Sequence, residues 1–269
     1  MHFLGFTTVQ ILWTLTFAAL LVLLVVLLGR DRARLFPWFT ASMVLTAVRL
    51  LSSRMLYGRL APITMSSIFL TLALIEALVC LLVAVEIARL AFSGASRRSW
   101  IISVLAVLAV GAGVLASWGP WPAWKTVSTD SQLGVLRLVQ LLAQKTSLLS
   151  DVITVELGVL VVLIGRRFKA GWRSHTQRII IGLSTASIAQ LASRGIWELI
   201  AMHAQPQTQA EYERVMGIQE KLYNATSVTF LAVLVWWIAC LWINEPGATI
   251  PATAASTNPV DAAPLAEEK

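Results

Sequence analysis

The chain has 269 residues, of which 57% are hydrophobic and only 13% charged, with a mean hydropathy of +0.75 and a formal net charge of +7. Soluble domains carry roughly 25% charged residues. The composition therefore excludes an ordinary soluble enzyme and points to a polytopic membrane protein whose first partner is the lipid bilayer. The positive charges fall in short loops and inside apolar runs. They read as topology signal and buried pairs, not as a footprint for nucleic acid.

The first apolar run, 8–29, has no basic segment before it and no small-residue cleavage site after it. It reads as a retained helix, not a removable signal. A basic loop with Arg30, Arg32 and Arg34 follows, and Pro37 suits the first turn of a second span over 35–57. The third span, 62–92, is longer than a bilayer demands. Arg97 and Arg98 precede a fourth span, 100–118, which carries no charge and is expected to pack peripherally. Pro120, Trp121, Pro122 and Trp124 then form an interfacial loop. The fifth span, 133–166, is apolar yet contains Asp151 and Glu156, and its first half carries Arg137, Gln140, Gln144 and Lys145. The sixth span covers 177–202. The seventh covers 220–243, with the preceding polar segment able to extend it outward. The tail 245–269 is rich in Ala, Pro and Thr and is expected to be disordered and cytoplasmic.

The fold class is thus an all-α membrane protein, a seven-transmembrane helix bundle over residues 1–244. Its direction follows from loop charge. Loops one, three and five hold Arg30, Arg32, Arg34, Arg97, Arg98, Arg166, Arg167, Lys169, Arg173 and Arg178, whereas loops two, four and six hold Arg59, Lys125 and Arg214. The N-terminus is expected outside and the C-terminus in the cytoplasm, in a cell membrane of the bacterial inner-membrane kind. The segments LLVVLLGRDR and LVVLIGRRF, and the segments LSSRMLY and LASRGIW, recur in spans one and five and in spans two and six. They suggest a 3+1+3 parallel repeat; chance likeness between leucine-rich helices is the competing explanation.

Polar residues fall at helical spacing on four spans. Span two carries Ser42, Thr46, Arg49 and Ser53; span five carries Gln140, Gln144, Ser147, Asp151 and Thr154. Span six carries Ser184, Ser187, Gln190, Arg194 and Glu198; span seven carries Glu220, Asn224 and Ser227. Counting about 1.5 Å per residue from the cytoplasmic ends places Arg49, Arg54, Glu76, Asp151, Arg194 and Glu198 in one layer roughly 20–30 Å up, with Glu156 nearer the midplane. One charge at the bilayer centre costs about 2.5–3.5 kcal/mol, so six unpaired charges would exceed the net stability of a domain. The balance of signs favours pairing. Two roles stay open for the layer: fixing helix register, or lining a pocket for a small polar or anionic ligand. An ion path is a third. Glu86, beside Arg89, reads as an interfacial charge. Lys145 is expected to reach the outer interface or pair with an acid, and most tryptophans, Trp237 included, are expected in the interfacial belts.

No HExxH, GxSxG, P-loop, GxGxxG or CxxC motif occurs. Seven helices with an outside N-terminus resemble the microbial rhodopsins, but span seven lacks a mid-membrane lysine for a retinal Schiff base. The 3+1+3 pattern resembles the SWEET and PQ-loop sugar transporters, yet their hinge prolines are missing from the span interiors, Pro37 lying at a span start. The sequence therefore predicts no enzyme, metal or cofactor. It predicts a receptor-like or accessory membrane subunit, with a small-solute or ion transporter as the alternative. The basic segment Arg166, Arg167, Lys169 and Arg173 is the natural docking surface for a cytoplasmic partner protein; topology signal and contact with anionic lipid are its simpler explanation.

Overall fold

The computed structural model describes residues 7–56, 59–92, 97–118, 121, 132–164, 174–204 and 208–243. The basic segment Arg166, Arg167, Lys169 and Arg173 and the tail 245–269 lie outside these residues. Every element among them is helical: α1 (Thr8–Gly29), α2 (Arg32–Leu35), α3 (Pro37–Leu56), α4 (Pro62–Ala91), α5 (Arg97–Ser117), α6 (Gln132–Ile164), α7 (His175–His203) and α8 (Gln209–Trp242). Five of them, α1, α4, α6, α7 and α8, are long and apolar enough to cross a membrane. This is a multi-pass membrane protein.

Local chemistry sets the helix starts. Thr7 and Gln10 form a capping box on α1, and Thr208 and Glu211 form another on α8. Ser174 caps α7 by accepting from the Gln177 backbone N–H at 3.3 Å. Asp31 has φ 53°, the only positive value at a non-glycine residue among those described, and it turns the chain from α1 into the short α2. The second apolar run is then split at Phe36, and α3 begins at Pro37, where the missing N–H costs nothing. The polar segment after α7 joins the last helix, so α8 starts at Gln209.

The helices pack in an order that closes on itself: α1 against α3, α3 against α4, α4 against α6, α6 against α7, α7 against α8, and α8 back against α1. The α4–α6 seam is the most extensive. α5 packs on α6 from outside this ring. Apolar burial concentrates in the half of the bundle where α3 begins. Leu20, Leu23, Leu27, Phe39, Ile87, Val161, Ile179, Ile180, Leu234 and Trp237 form one cluster there.

Trp237 corrects a sequence expectation. It is fully buried, not a belt residue. Its ring meets Phe39 edge-on with centroids 5.0 Å apart, and its Nε1–H donates to the Arg178 carbonyl at 3.3 Å. The indole fits because α7 presents Gly182 against it: a Cβ there would collide with the ring. Gly158 on α6 does the same for Ser184 of α7, whose hydroxyl donates to the Thr154 carbonyl at 3.0 Å. Small residues at membrane helix crossings let backbones approach closely. Gly182→Ala should therefore destabilise the protein by about 1–3 kcal/mol through overpacking. Gly113→Ala, where a Cβ meets nothing within 4 Å, should be neutral or stabilising by up to about 1 kcal/mol. Reversible unfolding in mixed detergent micelles measures both.

Candidate ligand-binding site

Two arginine–carboxylate pairs sit in the half of the bundle opposite the apolar cluster. Arg49 of α3 meets Glu76 of α4, with Nη1 2.7 Å from Oε2. The other Glu76 oxygen accepts from the Thr46 hydroxyl at 2.9 Å. Thr46 lies one turn before Arg49, so both side chains leave the same face of α3. Asp151 of α6 meets Arg194 of α7, with Oδ2 3.5 Å from Nη2. Its Oδ1 accepts from the Ser187 hydroxyl at 3.1 Å, and the same Arg194 nitrogen donates to the Ser147 hydroxyl at 2.7 Å. Ser147 and Asp151 are four residues apart, as are Thr154 and Ser150. Their spacing turns one polar face of α6 onto α7.

Each pair bridges one helix seam: Arg49–Glu76 across α3–α4 at hydrogen-bond distance, and Arg194–Asp151 across α6–α7 as a looser ion pair whose Oδ2 accepts no hydrogen bond among the described residues. The carboxylates lie within electrostatic range of each other across the α4–α6 seam, and Cys80 lies within range of Glu76, Asp151 and Arg49. Ser42 contacts the Cys80 sulfur at 3.8 Å. The result is one polar layer with a division of exposure. Glu76 and Asp151 keep 16% of their side-chain surface, while Arg49 keeps 41% and Arg194 32%. The acids are the more covered partners, and the arginine side chains stay partly exposed. A guanidinium has five N–H donors in a fixed fork. Each of these arginines uses only part of that fork on protein oxygens.

The other residues of the sequence-derived set fall elsewhere. Arg54 is exposed at the end of α3 and makes no ion pair among the described residues. Gln190 is exposed on α7, and Glu198 is half-buried further along the same helix. Both Glu156 oxygens and the Asn224 Oδ1 are shielded from solvent and accept no hydrogen bond among the described residues. Lys145 pairs with no acid among the described residues and reaches the end of α5. Its Nζ donates to the Trp118 carbonyl at 2.6 Å, beyond the last turn of α5, and lies 4.5 Å from the Trp121 ring centroid.

Glu86 also differs from the interfacial charge the sequence suggests. It is buried, and its two oxygens accept the backbone N–H groups of Trp38 and Phe39 at 3.2 and 3.0 Å. It caps α3 from another helix. A carboxylate at a helix N-terminus satisfies orphan donors and the macrodipole together. The sequence signal for this cap is indirect: α3 opens Phe36–Pro37–Trp38, with no Ser, Thr, Asp or Asn to cap it.

No protein-family model, curated protein or solved structure matches the chain.

Arg49→Gln and Glu76→Gln should each destabilise the protein, and the double variant should lose less than the sum. The expected coupling is about 0.5–3 kcal/mol in a double-mutant cycle. Glu86→Ala should cost about 1–3 kcal/mol by orphaning the buried Phe39 donor and the part-buried Trp38 donor, whereas Glu86→Gln, which keeps an acceptor oxygen, should cost less. Equilibrium unfolding of the purified variants gives both comparisons.

Proposed function

We propose that the protein is a non-enzymatic, receptor-like or accessory membrane subunit that binds a small anionic ligand between Arg49 and Arg194. The chain would cross the membrane seven times, with its N-terminus outside, so that the arginine layer opens to the outer side of a cell membrane. The α3 and α5 helices would supply the remaining two spans. The carrying observation is the unequal exposure within each pair: a covered carboxylate holds an arginine whose side chain stays partly exposed. An arginine fork fixed in this way is pre-organised for a carboxylate or phosphate.

The two arginines also belong to different three-helix groups, α1–α3–α4 and α6–α7–α8, the grouping that a 3+1+3 repeat implies. An anion held by both would add attraction across the α4–α6 seam, where Glu76 and Asp151 repel each other. Binding would thereby favour one relative position of the groups, which is what a receptor needs. The described stretches of α4, α6, α7 and α8 run without a break, whereas alternating-access carriers commonly use discontinuous helices at the site. That favours binding over carriage.

Thermal melting of the full chain in nanodiscs, with inorganic phosphate and succinate as probes, tests the reading. At least one probe should raise the melting temperature, and Arg194→Gln or Arg49→Gln should raise the midpoint concentration of that effect at least tenfold. A flat response to both probes, or an undiminished one in both variants, overturns it. Accumulation of a bound probe inside proteoliposomes would replace the receptor with a transporter.

A further inference from the structure

α4 and α5 are consecutive, yet α5 packs on α6 and stands off α4. Gly111 lets α5 lie close to α6, since a Cβ there would meet Leu149 at 3.1 Å. Between α4 and α5, with α6 behind, is a cleft of about 300 Å³. Its walls are aliphatic, with Ala84 and Val85 from α4, Val104 and Val107 from α5, and Ile153 and Leu157 from α6; Ser103 is the only hydroxyl among the lining residues. Such a space stays dry, because it offers water too few polar partners. Left empty, it would forfeit the dispersion contacts of its lining.

Length and charge select an occupant. The α4 wall runs from Leu81 to Phe92 and the α6 wall from Leu149 to Leu160, each roughly 16 Å of helix at about 1.5 Å per residue. That is about one leaflet of a hydrocarbon core about 30 Å thick. A volume of about 300 Å³ over that length is a narrow slot, the shape of a single hydrocarbon chain. One end of the slot lies at Phe92 of α4 and Ser103 of α5, and the helix turns next to that end are basic. Arg89 is exposed in the last turn of α4, and Arg97 and Arg98 open α5. The sequence contains no acid between Glu86 and Asp130, and Glu86 is turned to the start of α3. Basic residues beside a cleft between membrane helices are complementary to an anionic headgroup.

We propose that the cleft holds one acyl chain of an anionic phospholipid, whose phosphate lies at the basic end formed by Arg89, Arg97 and Arg98. The chain fills the slot between α4 and α5 and restores the contacts that α5 does not make with α4. The lipid enters sideways from the leaflet on the side of the α4–α5 connection, because the walls offer no polar path. The site does not involve the arginine layer of Arg49 and Arg194, and neither depends on the other.

A photoreactive phosphatidylglycerol with a diazirine midway along one acyl chain provides the test. The full chain is reconstituted in phosphatidylcholine nanodiscs containing this probe at low mole fraction, irradiated, and read by peptide mass. Label should concentrate on peptides carrying Val85, Val107 and Leu157. Unlabelled phosphatidylglycerol should displace it at least fivefold more effectively than added phosphatidylcholine. Val107→Trp, which fills the slot, should cut labelling at Val85 and Leu157 at least fivefold and leave it unchanged at Val25 and Val235, which are exposed on α1 and α8. Arg89→Gln should reduce the preference for phosphatidylglycerol at least threefold. Label distributed over the exposed residues of α1 and α8 as densely as over the cleft overturns the site, and equal displacement by phosphatidylcholine overturns the anionic lipid. If Val107→Trp does not fold, the location of the label and its displacement on the wild-type chain decide by the same criteria.

Discussion

The cost of leaving a polar group unsatisfied in hydrocarbon governs this bundle more than any single apolar contact. Lipid tails are as apolar as leucine, so burial of leucine gives little preference for helix over lipid. What distinguishes one neighbour from another is polar and steric. Arg49 on α3 needs an acid and finds Glu76 on α4. Asp151 on α6 finds Arg194, Ser187 and, through the arginine, Ser147. Glu86 on α4 needs donors and finds the uncapped start of α3. Each bridge selects a specific pair of helices. The helix order of the ring follows in part from these needs and in part from the places where Gly158 and Gly182 admit a neighbour.

The two halves of the bundle divide this labour. Where α3 begins, Trp237, Phe39 and the leucines of α1 fill the interior. Where α3 ends, the interior is charged and half open. An apolar cleft lined by α4, α5 and α6 adjoins the apolar cluster and shares Ala84, Phe92 and Leu157 with it.

Much of this is legible in the sequence. A period of 3.6 places Ser42, Thr46 and Arg49 on one face, and Ser147, Asp151 and Thr154 on another. Counting rise per residue puts Arg49 level with Glu76 and Asp151 level with Arg194. Which charges drop out is harder to read. Arg54 and Glu198 share that layer within a turn or two, but they lie near helix ends, where exposure replaces pairing. Gln190 fits the stripe only loosely, because small angular drifts over three turns carry a side chain off a narrow seam. Lys145 and Glu86 escape a sequence reading for one shared reason. Their partners are backbone groups at the ends of other helices, and a backbone donor or acceptor leaves no residue type to search for. Trp237 escapes it because a tryptophan near a span end looks the same in a belt or a core; only Gly182, on a different helix, tells them apart.

The lysine on α6 bears on how the chain is made. Lys145 supplies the donor for the Trp118 carbonyl just past the end of α5, and Trp121 donates to the carbonyl of Ala116 at 3.2 Å. The helix that emerges first from the ribosome thus has its last turn completed by a residue synthesised after it. α5, which packs on α6 from outside the ring, has its end held by the helix that follows it.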